Sequence, residues 1–161
     1  MWRSGDQRAW VSRQLLAGVE HGDGWLRSCP TGPVEALAVS GRTLLSTGED
    51  CTIGVWALGT WSHLKVVQVS EHVPDALRCC CLAVSGSMLL CDGVCKDGSG
   101  FVVVLDSHSM SCQHTLRLDH SVRSLLSVRG EVWGELGNKM VVVWGKAEWG
   151  QRSGMSEAGR A

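Results

Sequence analysis

The residues of this chain best equipped for chemistry are its eight cysteines and six histidines. Cys91 and Cys95, followed by His108, Cys112 and His114, supply the sulfur and nitrogen donors that zinc prefers. A structural zinc site usually takes its ligands in closely spaced pairs, and Cys-x3-Cys with Cys-x-His matches that pattern incompletely. The cysteines sit instead inside apolar runs such as Cys79-Cys80-Cys81-Leu82-Ala83-Val84. That placement reads as free core or loop thiols in a reducing compartment. A small zinc-binding protein is therefore the weakest of three functional readings. Asp92, Asp97 and Gly98 hint at a calcium loop, but Lys96 stands where an oxygen ligand is wanted and no glutamate closes the loop.

Nothing in the chain assembles a reaction. Asp50, Asp97 and Asp106 are the acids that could carry protons, yet acids at β-turn corners commonly cap backbone N–H groups. Gly98-Ser99-Gly100 lacks the following lysine of a phosphate-binding loop, and Gly-x-Ser-x-Gly does not occur. The histidines are scattered, and His120 reads as structural. The chain is expected to be no enzyme and to need no cofactor or resident metal.

The elements that would carry these residues follow from composition and period. At 161 residues, 44% hydrophobic and 19% charged, the chain has the size and make-up of one ordinary globular domain. Fifteen Lys and Arg against sixteen Asp and Glu leave a net charge of −1, and no stretch collects one sign. Nucleic acid and anionic membrane are therefore disfavoured as partners. The N-terminus opens no signal-like apolar stretch, and runs such as residues 101–105 are far short of a membrane span, so a soluble, cytoplasmic protein is expected. Twenty glycines beside three prolines, with eight tryptophans, one phenylalanine and no tyrosine, point to many tight turns around a few large anchors, hence to an all-β chain.

Residues 44–56, LLSTGEDCTIGVW, form the clearest hairpin signal: an apolar pair, a turn of small and acidic residues, then Thr52, Ile53, Val55 and Trp56 in extended-favouring order. The surroundings repeat. Residues 82–86 are LAVSG, letter for letter the LAVSG of residues 37–41, and Leu89-Leu90 stands where Leu44-Leu45 stood. A third unit begins at His120-Ser121-Val122, passes Val132-Trp133, turns at Gly137-Asn138 and ends at Val143-Trp144. Trp56, Trp133 and Trp144, flanked by valines, read as core anchors. Residues 1–30 fit neither a helical period nor strict alternation. The glycine-, serine- and charge-rich residues 145–161 read as a disordered tail.

The Thr47-Gly48-Glu49-Asp50-Cys51-Thr52-Ile53-Gly54-Val55-Trp56 segment resembles the turn and third strand of a WD-repeat blade, and the spacing of the three units brackets the ~40 to 45 residues of such blades. The resemblance implies a partial WD-repeat-like β-propeller, spanning residues 31–144, of about three four-stranded antiparallel blades at 34–69, 78–117 and 120–144. Residues 1–30 would be irregular or the remnant of a preceding blade. In the family a turn Asp, a Ser or Thr on the second strand, the strand Trp and a His at the blade entrance form a buried hydrogen-bonded set. Asp50, Ser46 or Thr47, and Trp56 match three of these in the first unit. The second unit has Leu105-Asp106 in place of Trp-Asp. The third keeps Trp144, has Asn138 for the turn Asp, and has Asp119-His120 for Gly-His.

A propeller closes with roughly four to eight blades, so three imply a fragment or isoform of a larger propeller protein, with possible self-association through open blade edges. The family resemblance further implies a non-catalytic scaffold for protein–protein interaction, with Trp61, in the loop after the third strand of the first unit, as a candidate partner contact. The alternative is the regulatory propeller end of a larger signalling enzyme: a kinase, a GTPase regulator or a ubiquitin-ligase subunit.

Overall fold

Where β-branched residues alternate with small or polar ones between turns, the backbone extends and pairs with its neighbour in sequence. The computed structural model describes residues 33–60 and 62–145. The irregular segment expected over residues 1–30, Trp61 and all but the first residue of the tail expected over residues 145–161 fall outside them. Among the described residues the strands are β1 (Val34–Ser40), β2 (Thr43–Gly48), β3 (Thr52–Ala57), β4 (His63–Gln68), β5 (Ala76–Ser85), β6 (Met88–Cys95), β7 (Gly100–Asp106), β8 (Cys112–Leu118), β9 (Val122–Val128), β10 (Glu131–Leu136) and β11 (Val141–Trp144). A single 3-10 turn, Val69–Glu71, leads from the first sheet to the second. No helix among the described residues is long and apolar enough to cross a membrane.

Each sheet is an antiparallel meander, ordered β1-β2-β3-β4, β5-β6-β7-β8 and β11-β10-β9. Two have the expected four strands. The third has three among the described residues, because β11 ends at Trp144, next to the last described position.

The repeat in sequence is a repeat of register. Ala38 pairs with Leu45 and Leu45 with Val55 in the first sheet. Ala83, Leu90 and Val104 hold the same places in the second, and Leu126, Trp133 and Val143 in the third. The connections repeat too: Leu58 N–H donates to the Arg42 carbonyl at 2.8 Å as Ser107 N–H does to the Ser87 carbonyl at 2.8 Å. The glycines that end the two LAVSG segments, Gly41 and Gly86, have φ of 56° and 60°, the left-handed region that a tight hairpin needs and glycine enters without strain.

The sheets stack face on face, with β1 beside β5 and β5 beside β9. We call the side of each sheet toward the preceding sheet its front and the other its back. Leu45, Ile53, Val55 and Val67 on the back of the first sheet meet Leu89, Phe101, Val103 and Leu105 on the front of the second. Leu90, Val102 and Val104 on the back of the second meet Val122, Val132, Val142 and Trp144 on the front of the third. The second sheet is thus covered on both sides, so the 101–105 run FVVVL is buried at every position, as a strand with no solvent face requires. Phe101→Ala would empty the largest fully buried side chain of the stack. It should lower unfolding free energy by about 3–5 kcal/mol in urea titration; a loss below about 1 kcal/mol would show that the second sheet is not the packed centre.

Candidate functional site

The acids picked out by sequence serve the turns. Asp50 Oδ1 accepts from Thr52 N–H at 3.1 Å and Thr52 Oγ1 at 2.9 Å. Asp97 does the same for Ser99, at 2.9 and 2.6 Å, and Asn138 Oδ1 accepts from Met140 N–H at 3.2 Å. The three residues are structural equivalents, each followed by a residue with φ between 56° and 87°: Cys51, Gly98 and Lys139. Asp97 is thus the turn acid of the second sheet, a place that its Asp-Gly-Ser context signals and that Asp106 does not fill. Asp106 closes the β7–β8 turn, accepting from His108 N–H at 3.1 Å and Ser109 N–H at 2.8 Å. The Ser109 amide and hydroxyl, then the His108 amide, hold its pKa below the usual carboxylate value. Ser99 does likewise for Asp97. Such carboxylates stay ionised and act as acceptors, not as proton carriers at neutral pH.

Ser46 and Trp56 do come together. The Trp56 indole lies across the front of the first sheet and donates from Nε1 to Ser46 Oγ at 3.0 Å. Its ring meets the His63 ring edge-on, centroids 4.8 Å apart and planes at 65°. In the third sheet Trp144 lies over Gly134, the equivalent of Ser46; a Cβ there would stand 2.7 Å from the indole, so the glycine makes room for the ring. His120 is exposed, and it is its backbone carbonyl that packs over Gly100. Trp133 is a correction: expected as a core anchor, it is 43% exposed on the back of the third sheet, where no described sheet covers it.

Two buried clusters carry chemistry that no motif in the sequence announces. The thiols of Cys51, Cys79 and Cys91 and the Thr47 hydroxyl meet at the seam between the first two sheets. The hydrogen bond with Cys79, together with burial, raises the Cys91 pKa well above that of a free thiol, and burial pushes Cys51 up to about 12. Cys51 and Cys91, held protonated in this way, pack as small hydrophobes and are poor nucleophiles, while the hydrogen bond with Cys91 lowers the pKa of Cys79. On the back of the second sheet Asp92 is completely buried. Its Oδ1 accepts the Cys81 amide at 2.8 Å, satisfying the N–H freed by a bulge in β5, while Oδ2 has no hydrogen-bond partner among the described residues. Burial raises its pKa to about 7.

Near the surface Asp75, Cys95 and Asp97 place donor atoms within 4.8 Å of one another. Arg117 already occupies the spot: Nη1 donates to Asp75 Oδ2 at 2.9 Å and to Cys95 Sγ at 2.8 Å, and Nη2 closes a bidentate pair with Asp75. Its guanidinium holds the Asp75 carboxyl below the usual range, while burial keeps the Cys95 thiol protonated. A cation would have to displace an arginine and deprotonate a buried thiol, so the triad fits a metal poorly.

Among the described residues, no sheet covers the apolar faces at the two ends of the stack. Leu37 and Val39 are exposed on the front of the first sheet, and Leu126, Trp133 and Val141 on the back of the third.

No protein-family model matches the sequence, and no curated protein matches it either. Solved structures do. The chain is similar to the RRP9 WD40 repeats, with a TM-score of 0.64 at 20% identity over 74% of this chain and 37% of that one. It is similar to U3-55K, TM-score 0.62 at 20% identity over 74% and 38%. It is also similar to the computationally designed Ika4 protein, TM-score 0.59 at 19% identity over 73% and 68%. The fold is that of a partial WD-repeat β-propeller. Each described sheet is a blade, and the chain spans little more than a third of the two WD40 structures.

Two measurements test the polar sites within the blades. Ser46→Ala removes the acceptor of the half-buried Trp56 indole and should cost about 1 kcal/mol in urea unfolding; an unmoved midpoint would mean that the bond contributes nothing. Asp92 has its pKa raised from 3.8 unfolded to about 7 folded, so the folded chain holds more protons between those values. Its stability should therefore fall as pH rises from about 4 to about 7, by up to ~1.4 kcal/mol per pH unit. Asp92→Asn should match the wild type near pH 4, exceed it by several °C in melting temperature at pH 8, and flatten the profile between. A wild-type profile already flat across that window would show that Asp92 is not desolvated in solution.

Proposed function

We propose that this chain is a non-catalytic scaffold for protein–protein interaction, acting in the cytoplasm as a fragment or isoform whose propeller is completed by blades from outside its 161 residues. The observation that carries the reading is the packed stack of repeated blades, whose buried polar groups serve the turns and seams and whose apolar surface at both ends is covered by no described blade. Scaffolds of this kind present loops and faces from a packed core, and apolar patches of that sort mark interaction sites. The near-zero net charge favours protein partners over nucleic acid or membrane.

Trp61 is the proposed contact residue. It lies outside the described residues, and its sequence position falls in the connection between β3 and β4. An indole in such a loop supplies the large, anchoring kind of contact that dominates binding energy. The alternative, a regulatory propeller end of a larger signalling enzyme, shares the same contact surfaces and differs in what the reading frame encodes beyond these residues.

Affinity capture from cell extract with quantitative mass spectrometry tests the scaffold. A reproducible set of proteins should be retained, and Trp61→Ala should cut their recovery about tenfold, the loss expected when an anchoring aromatic is truncated. Recovery of nothing reproducible would sink the scaffold reading, and unchanged recovery by the variant would remove Trp61 from it.

A further inference from the structure

The two copies of LAVSG form an internal control. Leu37 and Leu82 hold the same place in identical pentapeptides on the front of their blades, yet Leu82 is 9% exposed and Leu37 61%. The difference is the neighbour: the first blade covers Leu82, and no described blade covers Leu37. Val39 and Val84 repeat the contrast, Val39 exposed and Val84 packed against the core. On the other end of the stack Trp133 occupies the register of Leu45 and Leu90, both fully buried by the following blade. Val141 likewise occupies the register of Ile53 and Val102, both at zero exposure. Leu126, at 62%, stands where Ala83 is buried.

The open front is therefore of the kind that packs on a blade back, and the open back of the kind that packs on a blade front. The same front-on-back joint is built twice inside the chain. We infer that a second copy of this chain seats its third blade on the first blade of its partner and the reverse, so that two copies close head to tail into a ring of six blades. Six lies within the roughly four to eight blades that propellers use. Both joints are heterologous, front on back, and the pair is symmetric because each copy contributes one of each. Glu35 on the open front and Glu131 on the open back lie at the margins of the contact, while Glu135 on the open back, paired with Val141, holds the register at which the internal joints bury Thr47 and Asp92; all three glutamates are exposed. The rest of each face, with Leu37, Val39 and Trp56 on one side and Leu126, Trp133 and Val141 on the other, is apolar. That is the make-up of an interface core with a polar rim.

The test is size-exclusion chromatography with light scattering on the full chain and on two variants at exposed positions, Leu37→Asp and Leu126→Lys. Wild-type protein should have twice the mass of the chain at micromolar concentration. Each variant alone should be a monomer with an unchanged circular dichroism spectrum. Mixed together, the two should form a one-to-one dimer, since one joint is then wild type and the other sets Asp against Lys. A wild-type monomer at tens of micromolar would overturn the ring. So would a ladder of larger oligomers, or a dimer broken by Leu37→Asp and untouched by Leu126→Lys, which would mean front on front. A monomer that still captures partners would overturn the ring and leave the scaffold standing; a dimer that captures nothing would do the opposite.

Discussion

Everything in this molecule depends on the need of a β-sheet with apolar side chains on both faces to be covered on both faces. The second blade meets that need within the chain. Leu89, Phe101, Val103 and Leu105 are pressed against the first blade, and Leu90, Val102 and Val104 against the third, all without solvent exposure. The outer blades satisfy it on one side each. Their strands β1 and β10 alternate where β7 of the second is buried almost throughout, and their faces that no described blade covers still carry leucine, valine and tryptophan. The seams that join the blades are mostly dry and aliphatic, with a thiol and hydroxyl cluster at one and a carboxyl at the other.

The blade architecture was legible because hairpin chemistry is local. Gly41 and Gly86 at the ends of identical pentapeptides, the Asp50 turn, and the alternation from Thr52 to Trp56 each act over a few residues, and each marks an element that forms where it was expected. The third blade was expected to have four strands and shows three among the described residues, which end one position after β11. Exposure was harder to read than strand position. Valine-flanked Trp133 and Trp144 look alike in sequence, yet one is open and the other buried, because adjacent strands put them on opposite faces and only one face has a neighbour. Nothing local distinguishes them.

The polar set of the first blade was partly legible. Spacing brought Ser46 and Trp56 to the same face of paired strands, two positions apart in register, and they bond. Asp50 matched a turn position and serves that turn. Asp92 escaped notice as a buried group because it follows a cysteine in a run that looks like a hairpin loop; its burial comes from the third blade, some thirty residues further on, and from the bulge at Cys81 that its carboxylate repairs. Long-range cover of this sort has no signature in the local pattern. The same holds for the thiols of Cys51, Cys79 and Cys91, which are scattered in sequence and meet only because two blades dock.

The carboxyl of Asp92 also has a part in the order of assembly. As the chain leaves the ribosome the second blade is complete before the third exists, and its apolar back then faces water with Asp92 in the middle of it. On that exposed sheet the group is ionised at neutral pH, and a charge amid β-branched neighbours discourages the pairing with other chains that such a surface invites. When the third blade settles, the same carboxylate loses its water and its pKa climbs to about 7. At neutral pH the last joint of the stack therefore forms with partial uptake of a proton, and its equilibrium is tied to the acidity of the surroundings in a way that the all-aliphatic parts of the seam are not.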